Sequence, residues 1–217
     1  GRLAFTSYPV ANGTPPAIGT QTTYDALGRV IQVRQNSEIG DLVTDTEYLP
    51  GFKTRVTNPR NLATTTSYMA YDQPTQDWPM MIAAPEGAYT HFKRDPYGKP
   101  TMIRRSNSSN PAGGTVALSR TYVYGGAQRP CIITEPETGS TVVQYDGATN
   151  LVRQTSGLTI AAGTKCKDAK SIALASGRMV TRSYDARNRI KSIVLPDHRG
   201  DTSYFYTPDS KLASLTP

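Results

Sequence analysis

The string Tyr24-Asp25-Ala26-Leu27-Gly28-Arg29 returns as Tyr184-Asp185-Ala186-Arg187-Asn188-Arg189. Around it the flanks return too. Thr22-Thr23 precede the earlier copy and Thr181-Arg182-Ser183 the later, while Val30-Ile31-Gln32-Val33 and Ile190-Lys191-Ser192-Ile193 follow. Self-similarity of this kind means a repeat architecture, in which each unit stacks on its neighbours. Each copy reads as strand, turn, strand. Aspartate opens a type I turn because its carboxylate accepts a hydrogen bond from a backbone N–H two residues on. Glycine three residues later suits the left-handed position that closes such a loop, where a Cβ is penalised; Gly28 and Gly98 fit that role. At Asn188 the glycine is replaced by a residue type that tolerates the same conformation. In Asp95-Pro96-Tyr97-Gly98, proline stands where its fixed φ already suits the turn. The surrounding Tyr, Thr, Val and Ile are strand formers.

The residues opening these turns fall at Tyr24, Tyr48, Tyr71, Arg94, Tyr124, Tyr145, Tyr184 and Tyr206, with Arg94 placed by spacing alone. Successive steps are 24, 23, 23, 30, 21, 39 and 22 residues, a period that holds two strands and two turns. Asp72 and Asp146 supply the carboxylates after Tyr71 and Tyr145. The two long steps contain insertions at about 105–118 and 157–177, read as loops from their Ser, Asn and Gly or Ala, Gly, Ser and Lys content. Some copies are degraded. Tyr48-Leu49-Pro50-Gly51 lacks the aspartate, Tyr124-Gly125-Gly126 has glycine in its place, and Asp146-Gly147-Ala148-Thr149-Asn150 carries an extra residue.

Tyr-Asp-x-x-Gly-Arg followed by an apolar strand, at this period, resembles the YD repeats of Rhs proteins. That group includes bacterial polymorphic toxins and the related insecticidal-toxin and teneurin shells. The resemblance covers nearly the whole chain, and segments 52–60, 82–87 and 92–100 share it. It implies an all-β fold of repeated antiparallel β-hairpins forming part of a spiralling β-sheet shell, with residues 1–217 as one array within a larger shell. The implied function is that of a wall segment that encapsulates and shields a C-terminal toxin or effector domain until delivery, as in secreted effectors of bacterial competition. The alternative is a cell-surface adhesion or carbohydrate- or protein-binding module. Implied partners are the remaining repeats, the enclosed toxin domain and the spike proteins of a secretion apparatus. The protein is expected to be made in the bacterial cytoplasm and exported. Its opening, Gly1-Arg2-Leu3, reads as the second half of a repeat whose Tyr-Asp lies upstream, and the segment is not expected to fold autonomously. The tyrosines Tyr24, Tyr71, Tyr145, Tyr184 and Tyr206 are expected to stack as cross-strand ladders.

Composition agrees with this reading: 37% hydrophobic, 19% charged, with 18 Gly, 16 Pro and 13 Tyr, a turn-dense β composition. No run of about 18 apolar residues spans a bilayer, and no signal-peptide pattern opens the chain. Catalytic and cofactor constellations are poor, so the segment is expected to be no enzyme and to hold no cofactor or metal. His198 stands near Asp197 and Asp201, as an orienting carboxylate requires, but in a Pro-Asp-Gly turn where solvated polar residues collect. His91 sits on a strand beside Phe92. Gly113-Gly114 and Gly125-Gly126 lack the Lys-Ser/Thr of a phosphate loop. The family's self-cleavage signature, Asp-Pro-x-Gly-Leu, is matched at its first four positions by Asp95 to Gly98. Lys99 breaks it, and a hairpin turn explains these residues better. The net charge of +7 invites a nucleic-acid reading. No recognition element accompanies it, and specific nucleic-acid binding is not expected. Cys131 and Cys166 are expected to be free thiols, with a disulfide as the alternative in an oxidising compartment.

Overall fold

A computed structural model describes residues 1–9, 13, 17–70 and 75–216. The chain is built of antiparallel hairpins, with one α-helix and a single 3₁₀ turn at Pro85–Gly87 among the described residues. It divides into two units, Gly1–Lys93 with Arg104–Ala117, and Arg94–Ile103 with Leu118–Pro217.

In the first unit the strands are β1 (Phe5–Ser7), β2 (Gly19–Tyr24), β3 (Val30–Ser37), β4 (Gly40–Leu49), β5 (Lys53–Thr57), β6 (Ala63–Tyr68), β7 (Pro79–Ala84) and β8 (Ala88–Arg94). Each pairs antiparallel with the next. Strand β9 (Pro100–Ser106) carries residues of both units. The second unit continues with β10 (Ala117–Tyr124), all but its first residue, then β11 (Pro130–Glu135), β12 (Gly139–Tyr145) and β13 (Leu151–Leu158). After helix α1 (Cys166–Ala175) come β14 (Val180–Tyr184), β15 (Ile190–Val194), β16 (Thr202–Tyr206) and β17 (Leu212–Thr216). These too pair in sequence order.

A bulge recurs just before the turns. Thr23 faces Gln32 but Tyr24 faces Val30, and the same skip occurs at Tyr124, Tyr145, Tyr184 and Tyr206. Each bulge adds local right-handed twist to its hairpin. In the third repeat the skip falls at Ser67/Tyr68, three residues before the tyrosine read from the sequence. Tyr71 and Asp72 themselves lie outside the described residues.

Among the described residues, all six buried hydrophobic side chains belong to the second unit: Ile132, Val142, Val143, Leu158, Ala169 and Ala173. Alternation brings Ile132 opposite Val142 across β11 and β12, on one sheet face. Helix α1 covers that face with Ala169 and Ala173, both fully buried and spaced i, i+4. This corrects the sequence reading of 157–177 as a loop. Ala, Leu and Lys are strong helix formers, whereas the Ala, Gly, Ser and Lys content of the whole insertion reads as a loop. The first insertion is a loop, with β9 ending at Ser106 and β10 beginning at Ala117.

The cysteines also depart from expectation. Cys131 on β11 and Cys166 at the start of α1 form a disulfide, with Cα atoms 5.7 Å apart. Closing a loop between residues 35 apart removes unfolded-state entropy worth about 4 kcal/mol on the chain-entropy account. The helix docking that brings these two sulfurs together has no local signature in the sequence.

Candidate functional site

The side chains that recur with the repeat converge on the turns, where several of them make contacts from one repeat to another within each unit. Within a turn the geometry is constant. The Gly28 N–H donates to the Asp25 carbonyl at 2.8 Å, and the Asp25 N–H to the Arg29 carbonyl at 2.9 Å. Asp25 Oδ1 accepts from the Arg29 N–H at 2.8 Å and Oδ2 from Arg29 Nε at 2.7 Å, so one carboxylate closes the loop and fixes the arginine. Asp185 and Arg189 repeat this pattern at 3.0 and 2.8 Å. Asp95 accepts from the N–H groups of Tyr97 and Lys99, and Asp146 from the Asn150 N–H and side-chain amide. The left-handed position holds Gly28 (φ 76°), Gly98 (φ 81°), Thr149 (φ 74°) and Asn188 (φ 58°). Asp95-Pro96-Tyr97-Gly98 therefore has hairpin-turn geometry, as its sequence suggested. The Thr149 N–H donates to the Asp146 carbonyl at 3.0 Å, as Gly28 does to Asp25, so the Asp146 turn has the length of the others rather than the extra residue read from the sequence.

The turn read at Tyr206 closes without an aspartate, a substitution the sequence reading did not identify. After Tyr206 the hydroxyl of Thr207 takes the carboxylate's place, accepting from the Lys211 N–H at 3.1 Å, while Ser210 adopts φ 68°. A threonine hydroxyl does the work of an aspartate more weakly.

Between turns, the hydroxyls of Tyr24, Tyr48, Tyr124 and Tyr184 each reach back along the chain to a backbone carbonyl. Tyr48 Oη donates to the carbonyl of Val30 at 3.1 Å, Tyr124 Oη to Pro100 at 2.8 Å and Tyr184 Oη to Leu151 at 3.0 Å. Tyr24 Oη donates to Leu3 at 2.8 Å. For Val30, Pro100 and Leu151 the acceptor directly follows the residue that ends a turn, namely Arg29, Lys99 and Asn150. Burial pushes the Tyr124 phenol above its ordinary value, which keeps it a proton donor.

At five repeat tyrosines a cation lies over the ring, and at four of them, all but Tyr24, that cation ends a preceding turn. Arg29 is 3.9 Å from the centroid of Tyr48, Arg189 4.3 Å from Tyr206, Arg129 5.2 Å from Tyr145 and Arg2 5.6 Å from Tyr24. Lys99 lies 5.4 Å from Tyr124. The motif arginine thus acts twice: its Nε and Nη2 hold its own aspartate, and its planar face meets the following aromatic ring. The rings expected to stack on one another have cations over them instead at Tyr24, Tyr145 and Tyr206.

In the second unit the turns also touch side by side. Lys99 donates to Gln128, Arg129 to the Thr149 carbonyl at 3.0 Å, and Asn150 to Asn188 Oδ1 at 3.0 Å. Arg187 completes the row on the Pro208 carbonyl at 3.0 Å. Partners 20 to 38 residues apart carry no local signal beyond the recurrence of the arginine itself.

The turn carboxylates lie below their ordinary pKa of 3.8. For Asp25 the Arg29 backbone N–H is the leading cause, for Asp146 the Asn150 side-chain amide, and for Asp185 the Arg189 side chain. A folded value below the unfolded one stabilises the fold fully above the unfolded value, and that contribution is lost as pH falls below it. The denaturant midpoint of the chain is expected to be flat from about pH 5 to 7 and to fall from about pH 4 downward. A midpoint that holds constant down to about pH 2 would remove these carboxylates as stabilising groups.

The two histidines occupy different settings. His91 on β8 is 4% exposed, and its Nε2–H donates to the Ser108 carbonyl at 2.9 Å within the first unit. His198 Nδ1 is 2.9 Å from Asp201 Oδ2, but the imidazole is exposed and Asp201 Oδ1 is engaged by the Leu195 N–H. That carboxylate closes its own turn. A cleft of ≈ 740 Å³ opens beside Tyr48, lined among others by Arg29, Phe52, Lys53, Tyr68 and Gln76. Among the described residues no three His, Cys, Asp or Glu side chains gather into a metal-binding group.

The fold recurs in solved toxin-complex structures. The Tc holotoxin pore of Photorhabdus luminescens is similar at TM-score 0.56 and 13% identity, covering 89% of this chain and 10% of that one. The TcdB2-TccC3 structure is similar at 0.56 and 14%, covering 90% of this chain and 10% of that one. The form of it without the hypervariable C-terminal region is similar at 0.56 and 14%, covering 89% and 10%. The chain therefore spans about a tenth of the length of the chains it resembles, and at this identity the likeness is one of fold. No family model matches the sequence. No curated protein sequence matches it either. The YD-repeat motifs and the toxin-complex fold point the same way.

Proposed function

We propose that this segment is a stretch of container wall in a larger YD-repeat shell, and that the shell holds a C-terminal toxin domain apart from the producing cell until delivery. The observation that carries the proposal is the repeat-to-repeat contact set: a tyrosine hydroxyl at Tyr24, Tyr48, Tyr124 and Tyr184, and a cation over the ring at Tyr24, Tyr48, Tyr124, Tyr145 and Tyr206, reach from one repeat to another. Such contacts serve a continuous surface, since they specify where the next hairpin lies rather than a local pocket. The mechanism is physical. Backbone ladders form the wall, the turn contacts keep it from parting, and no residue need perform chemistry. In this reading the partners are the other repeats and the enclosed domain, and the protein is made in the cytoplasm and exported, with secretion-apparatus spike proteins engaged at delivery. The exposed large hydrophobics, among them Leu27, Ile39, Val116 and Leu215, fit a segment that meets further protein.

The test is protease protection of the C-terminal domain in the full-length parent protein, before and after denaturation. Resistance confined to the folded state supports a container. Equal digestion in both states moves the assignment to an open array. The cleft beside Tyr48 favours the second reading, adhesion through glycan contact, because aromatic rings beside Arg and Lys suit sugars. Glycan-array binding that disappears in Tyr68→Ala would support that alternative.

A further inference from the structure

Helix α1 docks against the turn that has lost its aspartate. A Cβ built on Gly125 would lie 3.7 Å from Cys166 Sγ, so the glycine leaves space where other turns place a carboxylate. A groove of ≈ 410 Å³ opens there, lined among others by Tyr124, Gly125, Gly126, Lys165, Cys166 and Lys167. The disulfide is therefore approachable from the Cys166 side, and both lysines flanking that sulfur are exposed.

Little else holds the helix down. It has ten residues, a length that is marginal alone in water, and its N-cap Lys165 makes no side-chain cap hydrogen bond. Its buried face consists of the Ala169 and Ala173 methyl groups, while Ile172 and Leu174 are exposed. Beneath it, β11, β12 and β13 keep their own ladder pairings, none of which involves α1.

We propose that Cys131–Cys166 is a thiol-exchange site open to a dithiol reductant, and that its reduction releases α1 from the sheet while β11 to β13 stay folded. A thiolate of the reductant attacks Cys166 Sγ through the groove, the S–S bond breaks, and Cys131 leaves as a thiolate and takes a proton. The reductant's second thiol then attacks the mixed disulfide, freeing Cys166 and leaving the reductant oxidised by two electrons. Lys165, Lys167 and the N-terminal end of α1 draw the incoming anion, and the missing carboxylate at position 125 spares it a repulsion. Release of α1 uncovers the apolar surface of Ile132, Val142 and Leu158. This proposal stands apart from the container reading.

The experiment treats the full chain under native conditions with thioredoxin and dithiothreitol, following mass and segment-resolved hydrogen exchange. The expected result is reduction without unfolding: exchange over 161–177 accelerates by about tenfold or more while β11 to β13 keep their protection. In Gly125→Asp, whose fold the same exchange map verifies, reduction is expected to slow by about tenfold through repulsion of the attacking thiolate. Should Gly125→Asp fail to fold, reduction of the unmodified chain decides alone. A disulfide that resists reduction until the whole chain unfolds overturns the proposal. So does an α1 that keeps its protection after reduction, or a folded Gly125→Asp reduced at the unmodified rate.

Discussion

Ile132→Ala is expected to lower the unfolding free energy by about 2–5 kcal/mol, the range for deleting a buried isoleucine side chain beyond Cβ. Ile132 is 3% exposed and sits under helix α1 among Val142, Leu158, Ala169 and Ala173, with Val123 packed at the margin. Its neighbours cannot close the cavity cheaply. Val142 and Val123 are held by ladder pairing on either side, and the two alanines have no atoms to extend into the gap. Urea unfolding of the unmodified and substituted chains gives the difference. A loss below about 1 kcal/mol would show that the site collapses freely and that the packing under α1 is not a core.

Gly139→Ala is expected to cost about 2–4 kcal/mol, from two sources acting at once. Gly139 opens β12 at φ 76°, a left-handed conformation that costs an L-residue roughly 1–2 kcal/mol. An added Cβ would also stand 2.8 Å from the Leu158 carbonyl oxygen, a backbone atom that can move only with β13. That movement would disturb both the pairing of Ser140 with Leu158 and the burial of the Leu158 side chain. Thermal unfolding provides the check. A substitution with little effect would mean that the end of β13 yields readily, and with it the wall of the core. A control at Gly126, where an added Cβ meets nothing within 4 Å, is expected to be mild.

The turns were legible because their chemistry is local. Asp25 and Arg29, or Asp185 and Asn188, lie within one loop, and the residue types that close it are few. The repeat spacing alone placed Arg94 before the Asp95 turn, although it lacks the tyrosine, and β8 ends there. Local rules and spacing placed a turn after Tyr206 but did not identify Thr207 as the group that closes it, where a hydroxyl substitutes for the carboxylate. Nor did they find the skip at Tyr68, since Tyr71-Asp72 is the better match to the motif and the sequence reading followed it. What connects the repeats was out of reach for a different reason. The ring that Arg189 covers and the carbonyl that Tyr184 engages belong to other hairpins, and their distance along the chain varies with every insertion. Helix α1 shows the same limit: its alanines look like spacer until Ile132 and Leu158 are beneath them, and the disulfide follows from that docking.

The account rests on one repeat holding the next through the turn-ending cation and the following tyrosine. A double-mutant cycle on Arg189 and Tyr206 tests this most directly, using Arg189→Gln, Tyr206→Leu and the pair, each followed by urea unfolding. The arginine is largely sheltered and 4.3 Å from the ring. A coupling energy of about 0.5–2 kcal/mol is predicted. Effects that add to within about 0.3 kcal/mol would show that the two residues stabilise their own hairpins independently, and would contradict the account of a continuous wall tied at its turns.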